Sequence, residues 1–107
     1  MDEQEPEGGA EGAVEIPLTG ELDLHAFAPR DVASVVEEYL LACREKGVLS
    51  LRLVHGRGRG VQRAEVRRVL ARLQGVAEFR DAPPELGGWG ATLVTLEPPQ
   101  QGGANVR

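Results

Sequence analysis

Residues 51–60, Leu-Arg-Leu-Val-His-Gly-Arg-Gly-Arg-Gly, constrain this chain more than any other stretch. The apolar run from Val48 to Val54 predicts a strand, and it enters a His-Gly-Arg-Gly turn with no spacer. A segment with helical spacing and a basic face comes next. Strand, glycine-rich turn and helix in that order make an anion-binding geometry. Glycine lets the backbone approach a ligand, and the N–H groups at a helix start point outward with the positive end of the dipole. Arginine adds charge in a shape that suits phosphate. Glycine turns by themselves are common connectors. Here His55, Arg57 and Arg59 alternate with Gly56, Gly58 and Gly60, which favours the phosphate reading.

The net charge of −5 conceals a segregation. Residues 1–21 hold seven acids and no Lys or Arg, a charge of −7, whereas the rest of the chain carries +2. Residues 52–72 hold seven arginines against Glu65 alone, a charge of +6. A polyanionic ligand is therefore compatible with the acidic total, because the local field decides. With 107 residues, of which 41% are apolar, the chain has enough for one small two-layer domain. The single cysteine, Cys43, excludes an internal disulfide and suits a reducing cytoplasm. The start is acidic where a signal peptide would be basic, and no apolar run approaches the roughly 20 residues that span a bilayer. The expectation is a cytoplasmic, monomeric domain with no membrane contact.

Taken in order, residues 1–15 are expected to be a disordered acidic tail, since they lack the apolar side chains that offset ordering entropy. Leu22-Asp23-Leu24-His25 alternates apolar and polar residues and predicts a strand with Asp23 and His25 on its wet face. Pro29 and Asp31 open a helix whose buried stripe is Val32, Val36, Tyr39 or Leu40, and Cys43, closed by Gly47. The second strand, Val48 to Val54, puts Leu49, Leu51 and Leu53 on one face and Ser50 and Arg52 on the other. A second helix to about Gln74 buries Val66, Val69, Leu70 and Leu73 and exposes an arginine row. Strands at Val76–Asp81 and Ala91–Leu96 flank a loop set by Pro83, Pro84, Gly87, Gly88 and Gly90. Residues 98–107 read as a flexible C-terminal tail. The fold expectation is α/β, a two-layer β-α-β-α-β-β chain with both helices on one face of the sheet.

Three motifs in this order carry a family pattern. Leu22-Asp23-Leu24-His25, then His55-Gly56-Arg57-Gly58, then Gly87-Gly88-Trp89-Gly90-Ala91-Thr92-Leu93-Val94 with Ala82-Pro83-Pro84 before it closely resemble the Smr (small MutS-related) domain across residues 16–97. The resemblance implies a mixed four-stranded sheet similar to the C-terminal domain of translation initiation factor three. In that arrangement the last strand inserts, antiparallel, between the second and third. It implies a nucleic-acid partner, DNA or RNA, structured or branched, and activities that nick DNA or cleave RNA in repair, recombination or RNA quality control. The chain shows no ATPase region and so resembles the stand-alone type. In one place it departs from the pattern: Ala26 and Phe27 come after the first motif where glycine is usual.

Carried onto this sequence, the motifs make Asp23, His25 and His55 the expected catalytic set. Phosphodiester hydrolysis needs a base to activate water and an acid for the leaving oxygen, and imidazole serves as either. Both histidines are placed at the C-terminal ends of neighbouring strands, where α/β sheets bind ligands. Gly56, Arg57, Gly58, Arg59, Gly60, Arg63 and Arg67 are the expected nucleic-acid contacts, through backbone N–H groups and guanidinium charge. No metal ligands are assigned. A weakly held divalent cation, Mg or Mn, stays open as an aid bound partly by substrate phosphate. Trp89 reads first as a pin for its own loop, with stacking on an unpaired base as the alternative. A non-catalytic module for structured nucleic acid, or for a ribosome or repair partner, remains the alternative function.

Overall fold

The computed structural model describes residues 16–58 and 60–99. The expectations for the acidic segment 1–15, for Arg59 and for residues 100–107 lie outside the described residues. The elements run β1 (Glu21–Asp23), α1 (Val32–Glu45), β2 (Ser50–Val54), α2 (Val61–Arg72), β3 (Val76–Asp81) and β4 (Ala91–Leu96). The sheet order is β1-β2-β4-β3. β1 and β2 are parallel, and β4 is antiparallel to both β2 and β3, as the family resemblance implies.

Both helices cover the sheet face on which Leu51, Leu53, Val94 and Leu96 point inward. Val32, Val36, Tyr39, Leu40 and Cys43 of α1 and Val66, Val69 and Leu70 of α2 close over that face in one apolar cluster. Full burial of such side chains stabilises by about 1.5–3 kcal/mol each. The other face stays open. Ser50, Arg52, Glu78, Arg80, Leu93 and Thr95 line a shallow cavity of about 380 Å³ there. Two polar pins fix the ends of the core: the Tyr39 hydroxyl accepts from Gly20 N at 3.1 Å, and Arg44 Nε donates to Glu97 O at 2.7 Å.

The structure corrects the boundaries at four points. β1 ends at Asp23, so Leu24 and His25 lie on a 3-10 turn, Leu24–Ala26, and not on a strand. The cause is local: the Asp23 side chain accepts from His25 N at 2.9 Å and so caps the turn, competing with the ladder. β2 starts at Ser50, two residues later than expected, and α2 ends at Arg72, with Leu73 already extended as its cap. α1 begins at Val32, after a separate 3-10 turn over Pro29–Asp31.

Register brings one end of the sheet together. Asp23 pairs with Val54, Val54 pairs with Ala91, and Asp81 pairs with Thr92. His25 just after β1, His55 and the glycine turn just after β2, and Gly88, Trp89 and Gly90 just before β4 therefore share that end. The start of α2 leaves from it as well.

Candidate functional site

Asp23 and His25 form an exposed pair. Asp23 Oδ1 accepts from the ring Nδ1–H of His25 at 2.7 Å as well as from its backbone N–H. The His25 side chain is 62% exposed. The two donors from His25 hold the Asp23 carboxyl below the ordinary carboxylate range, so it is ionised at neutral pH. A carboxylate accepting from Nδ1–H leaves Nε2 of the neutral ring as a lone pair. That atom points at the glycine turn: a Cβ placed on Gly56 would lie 2.8 Å from His25 Nε2. Gly56 also has φ +82°, a left-handed value. The position therefore requires glycine twice, for its backbone and for the ring beside it.

His55 sits differently. It is 4% exposed. Gly56 O is 3.0 Å from Nδ1, and a carbonyl can only accept, so Nδ1 carries the proton. Nε2 then accepts from Thr92 Oγ1 at 2.8 Å. Both ring nitrogens are engaged inside the fold, and the tautomer is neutral. Burial pushes the His55 pKa below the usual imidazole value; Arg63 and Arg67 push the same way, against the Gly56 carbonyl and Asp81. The unfolded chain takes up this proton near pH 6.5 while the folded chain resists it to lower pH. Stability is therefore expected to fall as pH drops below about 6.5, with a limiting slope near 1.4 kcal/mol per pH unit for one proton. Denaturant melts at about pH 7.5 and 5.5 check this, and His55→Gln should flatten the slope. Asp23 acts in another window. Its pKa is lowered on folding, so its contribution is lost only as pH falls below the ordinary carboxylate value of 3.8.

The glycine turn is tied down from the β4 side. Gly90 O accepts from His55 N at 3.1 Å and from Gly56 N at 2.8 Å, and Gly60 N donates to Arg57 O at 2.9 Å. The N–H groups of Gly56 and Gly60, expected to face a phosphate, are spent within the fold. The N–H groups of Val61, Gln62 and Arg63 at the start of α2 have no acceptor in their own helix, and Gly60 offers no capping side chain. Arg57 is exposed, and its chain runs over the loop before β4. A Cβ on Gly88 would meet Arg57 Nη2 at 2.9 Å, and one on Gly90 would meet Arg57 Cγ at 3.1 Å. The two glycines form the floor on which Arg57 rests.

The arginine row of α2 is not left bare, contrary to its sequence neighbourhood. Asp81 at the end of β3 takes Arg63 through three contacts of 2.8–3.1 Å and Arg67 at 3.1 Å. Arg68 pairs with Glu65, and Arg52 with Glu21. Among the described residues these ion pairs leave Arg57 without a carboxylate partner. No group of three or more His, Cys, Asp or Glu among the described residues is placed to hold a metal ion. Of the expected catalytic set Asp23 alone is a carboxylate, and its Oδ1 already accepts from His25.

Sequence reasoning missed Asp81 and Thr92. Thr92 carried a signal, because it alternates with Val94 and Leu96 on the inward face of β4 and is fully buried. A polar residue in that row needs an inward partner. Asp81 carried none, since it lies 14 and 18 residues from its arginines.

A family model described as the Smr domain matches residues 22–97. The chain is 40% identical over 78 residues to the endonuclease MutS2 of Thermus thermophilus, an alignment taking 73% of this chain and 10% of that protein. It is 31% identical over 96 residues to the endonuclease MutS2 of Aquifex aeolicus, covering 87% of this chain and 13% of that one. The chain thus spans about a tenth of the length of these curated relatives. Among solved structures, the Smr domain of Thermus thermophilus MutS2 superposes with a TM-score of 0.71 at 39% identity, covering 75% of this chain and 100% of that one. YdaL, a stand-alone small MutS-related protein from Escherichia coli, gives a TM-score of 0.69 at 23% identity, covering 85% of this chain and 79% of that one, a likeness of fold. No helix among the described residues is long and apolar enough to cross a membrane.

Proposed function

The chain belongs to the Smr domain family, and from that premise we propose that it binds nucleic acid and hydrolyses its phosphodiester bonds, with His25 moving the proton. The observation that carries this reading is the Asp23–His25 pair, whose free Nε2 stands beside the glycine turn and its exposed arginine. Relatives named endonuclease MutS2 support the reaction class.

Each residue has a part set by its contacts. The Asp23 carboxylate fixes the tautomer and orientation of His25 and offsets the positive charge that develops on the ring. His25 Nε2 takes the proton of the attacking oxygen. Arg57 and the N–H groups at the start of α2, which have no acceptor in their own helix, face the charge that builds on the phosphoryl oxygens. His55 is a positioning residue, not the second acid–base group expected from its motif. Its ring ties the turn to Thr92 and so holds Gly56 against His25. Water supplies the proton for the leaving oxygen. The setting we propose is DNA repair or recombination, or RNA quality control.

Arg63 and Arg67 add affinity without sequence preference, tempered by Asp81. Asp81→Ala frees both guanidinium groups. It is expected to tighten binding to all sequences and to steepen the salt dependence by about 0.9 in log–log slope per phosphate newly engaged on a duplex. Fluorescence anisotropy over a salt series measures this, and an unchanged slope would move the binding surface away from α2.

One observation favours a second reading, a binding module without turnover: with His55 engaged, a single imidazole faces solvent. The test separating the two tracks binding and product together, on supercoiled plasmid and on a hairpin RNA, with magnesium and with chelator. Nicked plasmid or shortened RNA supports hydrolysis. Retention with no product on either substrate supports the module.

A further inference from the structure

Trp89 sits on the 3-10 turn Gly88–Gly90 that leads into β4. Its two glycine neighbours form the floor under Arg57. Its own ring reaches the other way, to the start of α2. A Cβ on Gly60 would lie 3.6 Å from Trp89 Cζ3, and the Arg63 guanidinium stands 5.6 Å from the ring centroid. Arg63 is itself held by the forked contact with Asp81. The indole is thus fixed on one side and along one edge by groups that cannot readily move.

Despite those contacts Trp89 remains 41% exposed. A ring that served only to pin its loop would gain by covering its apolar surface. Val61, which directly follows Gly60, is 70% exposed. Two of the four large apolar residues that stand most open among the described residues therefore flank the same glycine, at the mouth of the proposed phosphate site. The other two, Leu41 and Leu86, lie on different elements. A rigid, half-open indole on the same turn as the two glycines under Arg57, whose guanidinium has no carboxylate partner among the described residues, matches a nucleotide in both parts. The base meets the ring and the phosphate meets Arg57.

We propose that Trp89 is a stacking platform for one unpaired nucleobase, so that the protein selects nucleic acid with an unpaired nucleotide at the phosphate held by Arg57. This rests on the nucleic-acid reading of the site. A base inside a duplex has both faces covered by its neighbours and cannot lie on the indole. A base in a loop, a junction or a single strand can. Base–aromatic stacking of this kind does not depend on which base is presented, and its loss costs about tenfold in affinity.

The chain has one tryptophan, so its emission reports the site without a label. The full chain is titrated with a short deoxythymidine oligomer, a uridine oligomer of equal length, a blunt duplex and inorganic polyphosphate, with anisotropy of labelled strands as an independent measure of binding. The expected result is quenching by both single strands, and little or none by the duplex and by polyphosphate. The ratio of the two single-strand affinities tells whether DNA or RNA is preferred. Trp89→Ala should weaken single-strand binding about tenfold and duplex binding by less than about twofold, and Trp89→Phe should restore most of the difference because a ring returns. Binding of single strands with no quenching would overturn the proposal. So would a Trp89→Ala variant that weakens single strands and duplex equally, which marks a loop pin. If no oligomer binds by anisotropy while the protein is folded, the nucleic-acid reading itself fails and takes this inference with it.

Discussion

His25→Ala is expected to slow cleavage by about 100-fold or more, the usual scale for a group that transfers a proton in the transition state. Affinity for the substrate should change by less than about twofold, because the phosphate contacts are proposed to come from Arg57 and the start of α2. Geometry is the reason for the split. His25 is exposed and ties no element of the core, so its removal leaves the fold intact. Asp23→Asn should also slow the reaction. The amide keeps the shape, but it loses the charge that makes Nδ1 the protonated nitrogen. The cap on the 3-10 turn, an acceptor for His25 N, can survive in asparagine, so the variant separates charge from structure. Single-turnover rates beside equilibrium binding measure both effects. Equal loss of rate and affinity would mean that His25 binds phosphate instead of moving a proton.

Gly56→Ala is expected to have an effect of similar size by another route. The residue has φ +82°, where a side chain costs about 1–2 kcal/mol. The new methyl would also fall 2.8 Å from His25 Nε2, closer than any carbon tolerates. The turn cannot back away, because Gly56 N and His55 N both hold Gly90 O. His25 must swing out, and its pairing with Asp23 goes with it. Turnover should therefore drop nearly as far as in His25→Ala, with a modest loss in melting temperature. Gly58→Ala is the control. Its φ is +37°, so it bears backbone strain, but nothing lies within 4 Å of its Cβ position. It should lose stability and leave the His25 ring in place. If the two alanines cost the same in rate, the contact between Gly56 and His25 is not what matters.

Much of the fold is legible in local pattern. β3 and β4 have the ends that Gly75 and the Pro-Gly loop mark, and the buried stripe of α1 is the one its spacing implies. The end of β1 before His25 is not recoverable that way, because Leu-Asp-Leu-His alternates equally well as a strand or as a strand that breaks into a capped turn. The break decides the site. It turns the His25 ring toward Gly56, where an extended strand would have left it on the open sheet face. The role of His55 is hidden for a different reason. Its partner Thr92 is 37 residues away, and the motif does not say which ring nitrogens are satisfied. The arginine row looks free of acids because a sequence window cannot see across the fold to Asp81.

Chemical rescue is the most direct measurement of whether an imidazole at position 25 moves the proton. His25→Ala leaves a gap beside Gly56 that a small free base can enter. Single-turnover cleavage by this variant is recorded with and without added imidazole at constant ionic strength, beside the unaltered chain. The expected variant is slow without imidazole, gains rate in proportion to the imidazole added, and still binds substrate as the unaltered chain does. A variant that cleaves at full rate with no imidazole present would contradict a proton-moving role for His25.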